Sequence, residues 1–261
     1  MTTIFFTNSG PERPANEDAI LVGPVYADLS MDQPMVALGN EELVAVADGM
    51  GGGPGGATAA RVVLEDLKLN LAPHGQAESR KTQPNRQDLL LECLYGAIDR
   101  LDRLSRDRPE LAGMGATLAG LWRQGQSALV FNCGDCRVYR LRDDYLELLS
   151  RDHSAVYNLY LEGLISFDQI RFHPDKNLIT SAIQQANHNL DLFSRVVRLC
   201  QDDLYLICSD GAWESLSQES LEDCLKNLSL EESALALAQA LLAQNRGDNF
   251  SFLLQKVELL D

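Results

Sequence analysis

Short apolar runs and longer amphipathic stretches alternate along the chain, and their periods predict its elements. TTIFFT (2–7), DAILVG (18–23) and LVAVAD (43–48) read as strands, the last preceded by a polar, Pro-containing loop around residues 27–42. Residues 56–71 carry Ala60, Val63, Leu64, Leu67 and Leu71 at helical spacing. An aperiodic polar segment, 73–87, reads as a loop, and 88–104 reads as a second helix. Four closely spaced runs, 116–123, 127–134, 136–142 and 145–150, predict an antiparallel meander. Residues 154–190 are less regular. The runs 195–200 and 204–209 then suggest a hairpin turning at Gln201–Asp203. Helices over 217–227 and 230–244 and a strand over 249–257 close the chain. This order predicts an α+β protein with antiparallel sheets, one domain over 1–261.

Composition narrows the function classes. The chain has 261 residues, 45% of them hydrophobic and 23% charged, as in ordinary globular proteins. A formal charge of -16 argues against nucleic acid or an anionic membrane as partner, since both need a basic face. No apolar stretch approaches a membrane span, and the first residues lack a signal-peptide layout, so the expected location is the cytoplasm. Cys133 and Cys136 form C-x-x-C, but no second Cys or His pair is spaced to complete a zinc site. The six cysteines read as buried thiols.

The stretch ELVAVADGMGGGPGGATAARVV, residues 41–62, offers two readings. Gly51, Gly53 and Gly56 satisfy the dinucleotide fingerprint G-x-G-x-x-G. That fold, however, needs strand, helix and parallel strand, with an acid about 20 residues on. Here the helix leads to another helix, and no Lys follows the glycines as a P-loop would require. The glycines read better as a close-packed turn beside Asp48.

Other acids share the placement of Asp48 at a strand end. Glu17 and Asp18 open one strand, Asp210 follows another, and Asp248 precedes the last. If 18–24 pairs antiparallel with 43–47, and 203–209 with 249–257, each pair delivers its carboxylates to one edge. Stacked sheets would then bring the pairs together. Each Asp-Gly alone is an ordinary turn signal. Carboxylates so close repel unless protonated or sharing cations, and an all-oxygen set suits Mg²⁺ or Mn²⁺. Two such ions can generate hydroxide and clamp a displacement at phosphorus. Arg13, shortly before Glu17, could grip a phosphate with its fork.

Together these motifs resemble the metal-dependent Ser/Thr protein phosphatases of the protein phosphatase 2C type, in their bacterial branch. The resemblance runs through R-x-x-NED (Arg13, Asn16 to Asp18), VADGMGG (46–52), MGAT (114–117) and NCGDCRVYRL (132–141). It continues through RDHS (151–154), HP with NLITSAI (173–183), ICSDGAWE (207–214) and GDNFS (247–251). It implies an antiparallel β-sandwich flanked by pairs of α-helices, with residues 154–190 as a flap beside the site. By the same resemblance, Asp48 would bridge two Mn²⁺ or Mg²⁺ ions, Gly49 would offer a backbone carbonyl, and Asp210 and Asp248 would bind the second ion. Glu17 and Asp18 would act through metal-bound waters, Arg13 would hold the substrate phosphate, and Asp135 with Asp210 would hold a weaker third ion. The implied activity is hydrolysis of phosphoserine and phosphothreonine in proteins by a metal-activated water, without a phosphoenzyme. The implied partners are phosphoproteins, including a Ser/Thr kinase or its targets, in some relatives within type VI secretion, and a monomer is expected.

The chain departs from the family pattern at Met50, where animal members carry a His, which leaves the leaving-group proton donor unassigned. Cys136, Ala116 and Gln184 replace the usual Ser, Thr and Gly. His153 fits the pattern and is read as orienting a loop, while His74 and His188 read as loop residues. Two rivals stay open. One is a catalytically silent phosphoprotein-binding regulator, although silent relatives usually lose a metal Asp. The other is a metal-stabilised structural module, which leaves Arg13 without purpose.

Overall fold

The structure, a computed structural model, describes residues 1–37, 41–51, 54–71, 85–244 and 247–258. Gly52, Gly53, His74 and the heart of the polar segment expected over 73–87 lie outside the described residues.

The strands are β1 (Thr2–Asn8), β2 (Asp18–Val22), β3 (Val25–Ala27), β4 (Met35–Ala37) and β5 (Leu43–Met50). After helices α1 (Pro54–Leu71) and α2 (Arg86–Asp107) come β6 (Gly115–Gln124), β7 (Ser127–Cys133), β8 (Arg137–Arg142) and β9 (Tyr145–Leu148). The chain continues through α3 (Ala155–Leu161), β10 (Ile183–Gln184), β11 (Phe193–Arg198) and β12 (Leu204–Cys208). Helices α4 (Asp210–Ser215), α5 (Gln218–Leu225) and α6 (Leu230–Gln244) precede β13 (Phe250–Lys256). One sheet has the order β4-β1-β13-β12-β8-β9; the other runs β11-β7-β6-β5-β2-β3, with β10 on the end of β6. All the pairings are antiparallel.

The two sheets face each other and each carries helices on its outer face. Along β5, Val44 and Val46 enter the core between the sheets with Ile20, Leu121, Tyr205, Ile207 and Leu253. Leu43, Ala45 and Ala47 point the other way, onto Val63, Leu64 and Leu67 of α1 and Leu94 and Ile98 of α2. Likewise Leu206 on β12 and Phe250 and Phe252 on β13 pack against Leu221, Leu237 and Leu241 of the last two helices. Because both faces of these strands are covered, LVAVA and LYLIC are continuous apolar runs rather than alternating ones. Each sheet is thus a layer between the other sheet and a pair of helices, as the resemblance implied.

Several expectations need correction. The runs 195–200 and 204–209 do not form a hairpin: β11 pairs with β7 in one sheet, and β12 with β8 and β13 in the other. Gln201–Asp203 is a crossing between sheets. The expected meander also splits, since β6–β7 and β8–β9 are hairpins in different sheets and the chain changes sheet at Gly134–Asp135. Turn chemistry looks the same for a hairpin and a crossing, so spacing misled. The loop at 27–42 contains the end of β3 and all of β4, which pairs with β1. Helix α1 starts at Pro54 rather than 56, because proline at the first helical position loses no bonded N–H. Helix α2 starts at Arg86, capped by Asn85, whose side chain accepts from the Gln87 N–H at 3.2 Å.

Candidate active site

Strand parity aims the acids. On β2 and β5, Ile20, Val22, Val44 and Val46 face the opposite sheet, so Asp18 and Asp48, two residues further along, share that direction. They are register partners, placing two carboxylates side by side at one end of the sheet. On β12, Ile207 faces the same space, and so does Ser209, whose hydroxyl donates to Asp18 Oδ2 across the sheets at 2.7 Å. Asp210 follows as the first residue of α4, and Asp248 lies two residues before β13.

The β7–β8 crossing supplies Asp135. Gly134 turns with φ 97°, and a Cβ there would run into Thr117, so glycine is required. His153 grips the turn twice: its N–H donates to Gly134 O at 2.8 Å and its Nδ1 accepts from Gly134 N–H at 3.1 Å. Burial holds the imidazole pKa below its ordinary value, in the neutral form that such acceptance needs. The Trp213 indole donates to Asp135 O at 2.9 Å, and Arg137 lies over the Trp213 ring at 3.5 Å, paired at 2.6 Å with buried Asp152. His153 therefore orients a loop, in keeping with its reading from sequence.

The glycines act by close approach. A Cβ on Gly49 would fall onto the Gly56 carbonyl and 2.7 Å from Glu17 O; one on Gly56 would strike the Glu17 carboxylate. The Gly49 N–H donates to Glu17 O at 3.2 Å. Strand β5, the first turn of α1 and the Glu17 loop are thus in backbone contact beside Asp48. Asn249 holds that loop from the far side, accepting from Glu17 N–H at 2.9 Å and donating to Ser9 O and Ala15 O at 2.9 and 3.0 Å.

These placements bring Arg13, Glu17, Asp48, Gly49, Asp135, Asp210 and Asp248 around one cavity of about 240 Å³, with Met50 and Thr117 in its wall. Asp18 sits beneath it, 1% exposed. Arg13 reaches Asp248 at 2.9 Å. The carboxyls feel one another. Burial, then Asp210, Asp18 and Asp135, push the Asp48 pKa well above the usual carboxylate range. Asp135 is raised by burial and then by Asp210, and Asp210 by burial and then by Asp248. Burial lifts Asp18 to about 7 against the opposing hydrogen bonds of Ser251 and Ser209.

The donor set is all oxygen, anionic and mutually repulsive, which suits Mg²⁺ or Mn²⁺ rather than zinc or copper. Asp18 Oδ1 is buried and has no hydrogen-bond partner among the described residues, which leaves an acceptor suited to a donor or a cation-bound water. Among the described residues, no three Asp, Glu, His or Cys side chains are already gathered into a metal-ligand set. The fit is therefore one of chemistry and burial, not of a closed shell.

Sequence reasoning missed several residues here. Glu214 lies one helical turn beyond Asp210, is raised to about 7 by burial and then by Asp210, and in turn raises Asp135. Its i, i+4 spacing from Asp210 was a legible signal. Ser209 and Asn249 lie inside quoted motifs, yet their roles depend on partners far away in sequence. All six cysteines are free thiols; Cys93, Cys133, Cys136 and Cys208 are buried, and Cys200 and Cys224 partly so. Cys136 packs its sulfur 3.0 Å from Thr117 Oγ1. His188 is exposed, near Asp102 at 4.0 Å.

A family model described as protein phosphatase 2C matches residues 31–244. The serine/threonine protein phosphatase PstP of Mycobacterium tuberculosis is 30% identical over 236 residues, 87% of this chain and 44% of PstP. The chain thus spans less than half the length of that relative. The serine/threonine phosphatase Stp of Listeria innocua is 30% identical over 227 residues, 84% of this chain and 86% of Stp. A crystal structure of PstP superposes with a TM-score of 0.81 at 25% identity, covering 99% of this chain and 100% of that one. Another PstP structure, of its catalytic domain, holds 2 manganese ions and at 24% identity speaks to the fold alone. PppA, described as a key regulatory component of T6SS in Pseudomonas aeruginosa, has a TM-score of 0.76 at 26% identity over 98% of this chain and 97% of its own. With the family match spanning most of its length and the acids gathered as its strand ends direct, the chain belongs to the protein phosphatase 2C family.

Proposed function

We propose that this protein is a metal-dependent phosphatase of phosphoserine and phosphothreonine in proteins. The observation that carries the reading is the meeting of Asp48, Asp135, Asp210 and Asp248 with Arg13 around one cavity. Repulsion among buried carboxylates costs folding free energy, and such clusters persist where they hold cations. Asp48, which feels both Asp210 and Asp18, would bridge two ions. Gly49 would add its carbonyl, Asp210 and Asp248 would hold the second ion, and Glu17 and Asp18 would act through water. Asp135, with Asp210, would hold a looser third. Divalent ions bound there would supply an acidified water to attack phosphorus. Ser209 keeps Asp18 oriented, and Asn249 keeps the Glu17 loop against β13. Arg13 would exchange Asp248 for a phosphate oxygen, binding it through charge-assisted hydrogen bonds.

The substrates on this reading are phosphoproteins modified by a Ser/Thr kinase, or the kinase itself. The likeness to PppA makes type VI secretion control a specific candidate setting. Residues 1–261 would form one domain that acts as a monomer in the cytoplasm, where its six free thiols stay reduced. Among the described residues no helix is long and apolar enough to cross a membrane. The test is turnover of a phosphothreonine peptide after exhaustive chelation and again after restoring Mn²⁺ or Mg²⁺. Activity appearing only with metal supports the reading. Full activity in the stripped protein, or none with metal, defeats it.

A further inference from the structure

Beside the acidic cleft lies a second cavity of about 540 Å³, which shares Arg13 and Asp248 with it. It is larger than a phosphate needs and within the range of ligand-sized pockets. Its outer wall comes from the segment that resembles a flap: Arg171, Phe172 and Lys176. Most of its charges are committed. Arg13 pairs with Asp248, and Lys176 pairs with Glu214. Arg171 differs. Among the described residues no carboxylate pairs with it, and its guanidinium lies over the Phe172 ring, 4.4 Å from the centroid. Phe172 is itself 62% exposed, a large apolar ring that the fold leaves uncovered. A guanidinium braced on an aromatic face has less freedom to lose on meeting an anion. Such a cation at the mouth of a site is conspicuous in a chain of charge -16. The remaining acid of the wall, Glu12, lies against Gly247, next to the Arg13–Asp248 pair.

We propose that this cavity seats the residues flanking the phosphoamino acid, and that Arg171, stacked on Phe172, selects substrates carrying an acidic side chain there. The inference rests on the phosphatase reading above, because a phosphoryl group gripped by Arg13 leaves its neighbours over the adjoining cavity. The acid would form a charge-assisted pair with Arg171 while the aliphatic part of the peptide covers Phe172.

The test uses phosphothreonine peptides that differ only in bearing Glu, Ala or Lys at the two positions before or after the phosphoresidue. kcat/KM is measured with Mn²⁺ and divided by the same enzyme's value for p-nitrophenyl phosphate, so that folding or metal defects cancel. The wild-type protein should prefer Glu to Lys on one side by about fivefold, the value of one partly exposed charge pair. Arg171→Gln should bring that ratio near one, and Arg171→Glu should invert it. Equal kcat/KM across the wild-type series, or a preference that both variants retain, overturns the subsite while leaving the phosphatase reading intact. Absence of p-nitrophenyl phosphate turnover overturns both.

Discussion

Replacing Gly49 by alanine tests the idea that the glycines exist for close packing around Asp48. The added Cβ would land on the Gly56 carbonyl and carbon and 2.7 Å from Glu17 O. None of these is the tip of a flexible side chain; they are backbone atoms of α1 and of the Glu17 loop. Relief therefore requires β5 and α1 to separate, or the loop to move, against a core in which Ala47, Ala59 and Ala60 are fully buried. Overpacking costs about 1–3 kcal/mol, and rigid neighbours place this case near about 3 kcal/mol. At 2–4 °C per kcal/mol, the melting temperature should fall by about 6–12 °C. Gly96→Ala is the control, because its Cβ meets nothing within 4 Å on the exposed side of α2. It should stabilise by about 0.5–1 kcal/mol through lower unfolded-chain entropy. Urea denaturation of both variants, with Mn²⁺-dependent turnover measured alongside, gives the comparison. Gly49→Ala should lose activity as well as stability, since the shift moves Glu17 and Asp48 apart. A Gly49→Ala protein as stable and active as Gly96→Ala would refute the close-packing argument.

Asp48→Asn should abolish turnover and also remove the stabilisation by Mn²⁺, which for a binding-competent protein is about 2.7 kcal/mol at a hundredfold excess over Kd; thermal melts with and without metal check this. Asp135→Ala should keep the tight ions in a calorimetric titration yet lose most turnover, whereas a mere turn residue would cost about 1 kcal/mol and leave the rate unchanged. Arg137→Met leaves Asp152 buried and unpaired and should cost about 3–5 kcal/mol, while Arg137→Met with Asp152→Leu should recover much of it. Chemical denaturation of the single and double variants decides that case.

The local pattern held most of the architecture. Continuous apolar runs mark most of the strands and period-3.6 runs the longer helices, because burial on both faces of a strand or on one face of a helix writes itself into apolar spacing. The acids Asp18, Asp48, Asp210 and Asp248 were legible for the same reason: strand ends are marked by the polar and glycine residues that stop them. What sequence could not decide was which strand lies beside which. Gln201–Asp203 and Gly134–Asp135 carry ordinary turn chemistry, yet both pass the chain from one sheet to the other. Whether such a turn folds back or crosses depends on where the apolar faces of distant strands are covered, a non-local free energy that no window of residues contains. The supporting residues follow the same rule. Ser209 meets Asp18 across 191 positions and Asn249 meets Glu17 across 232, so only the stacked sheets reveal that these side chains hold the acids in place.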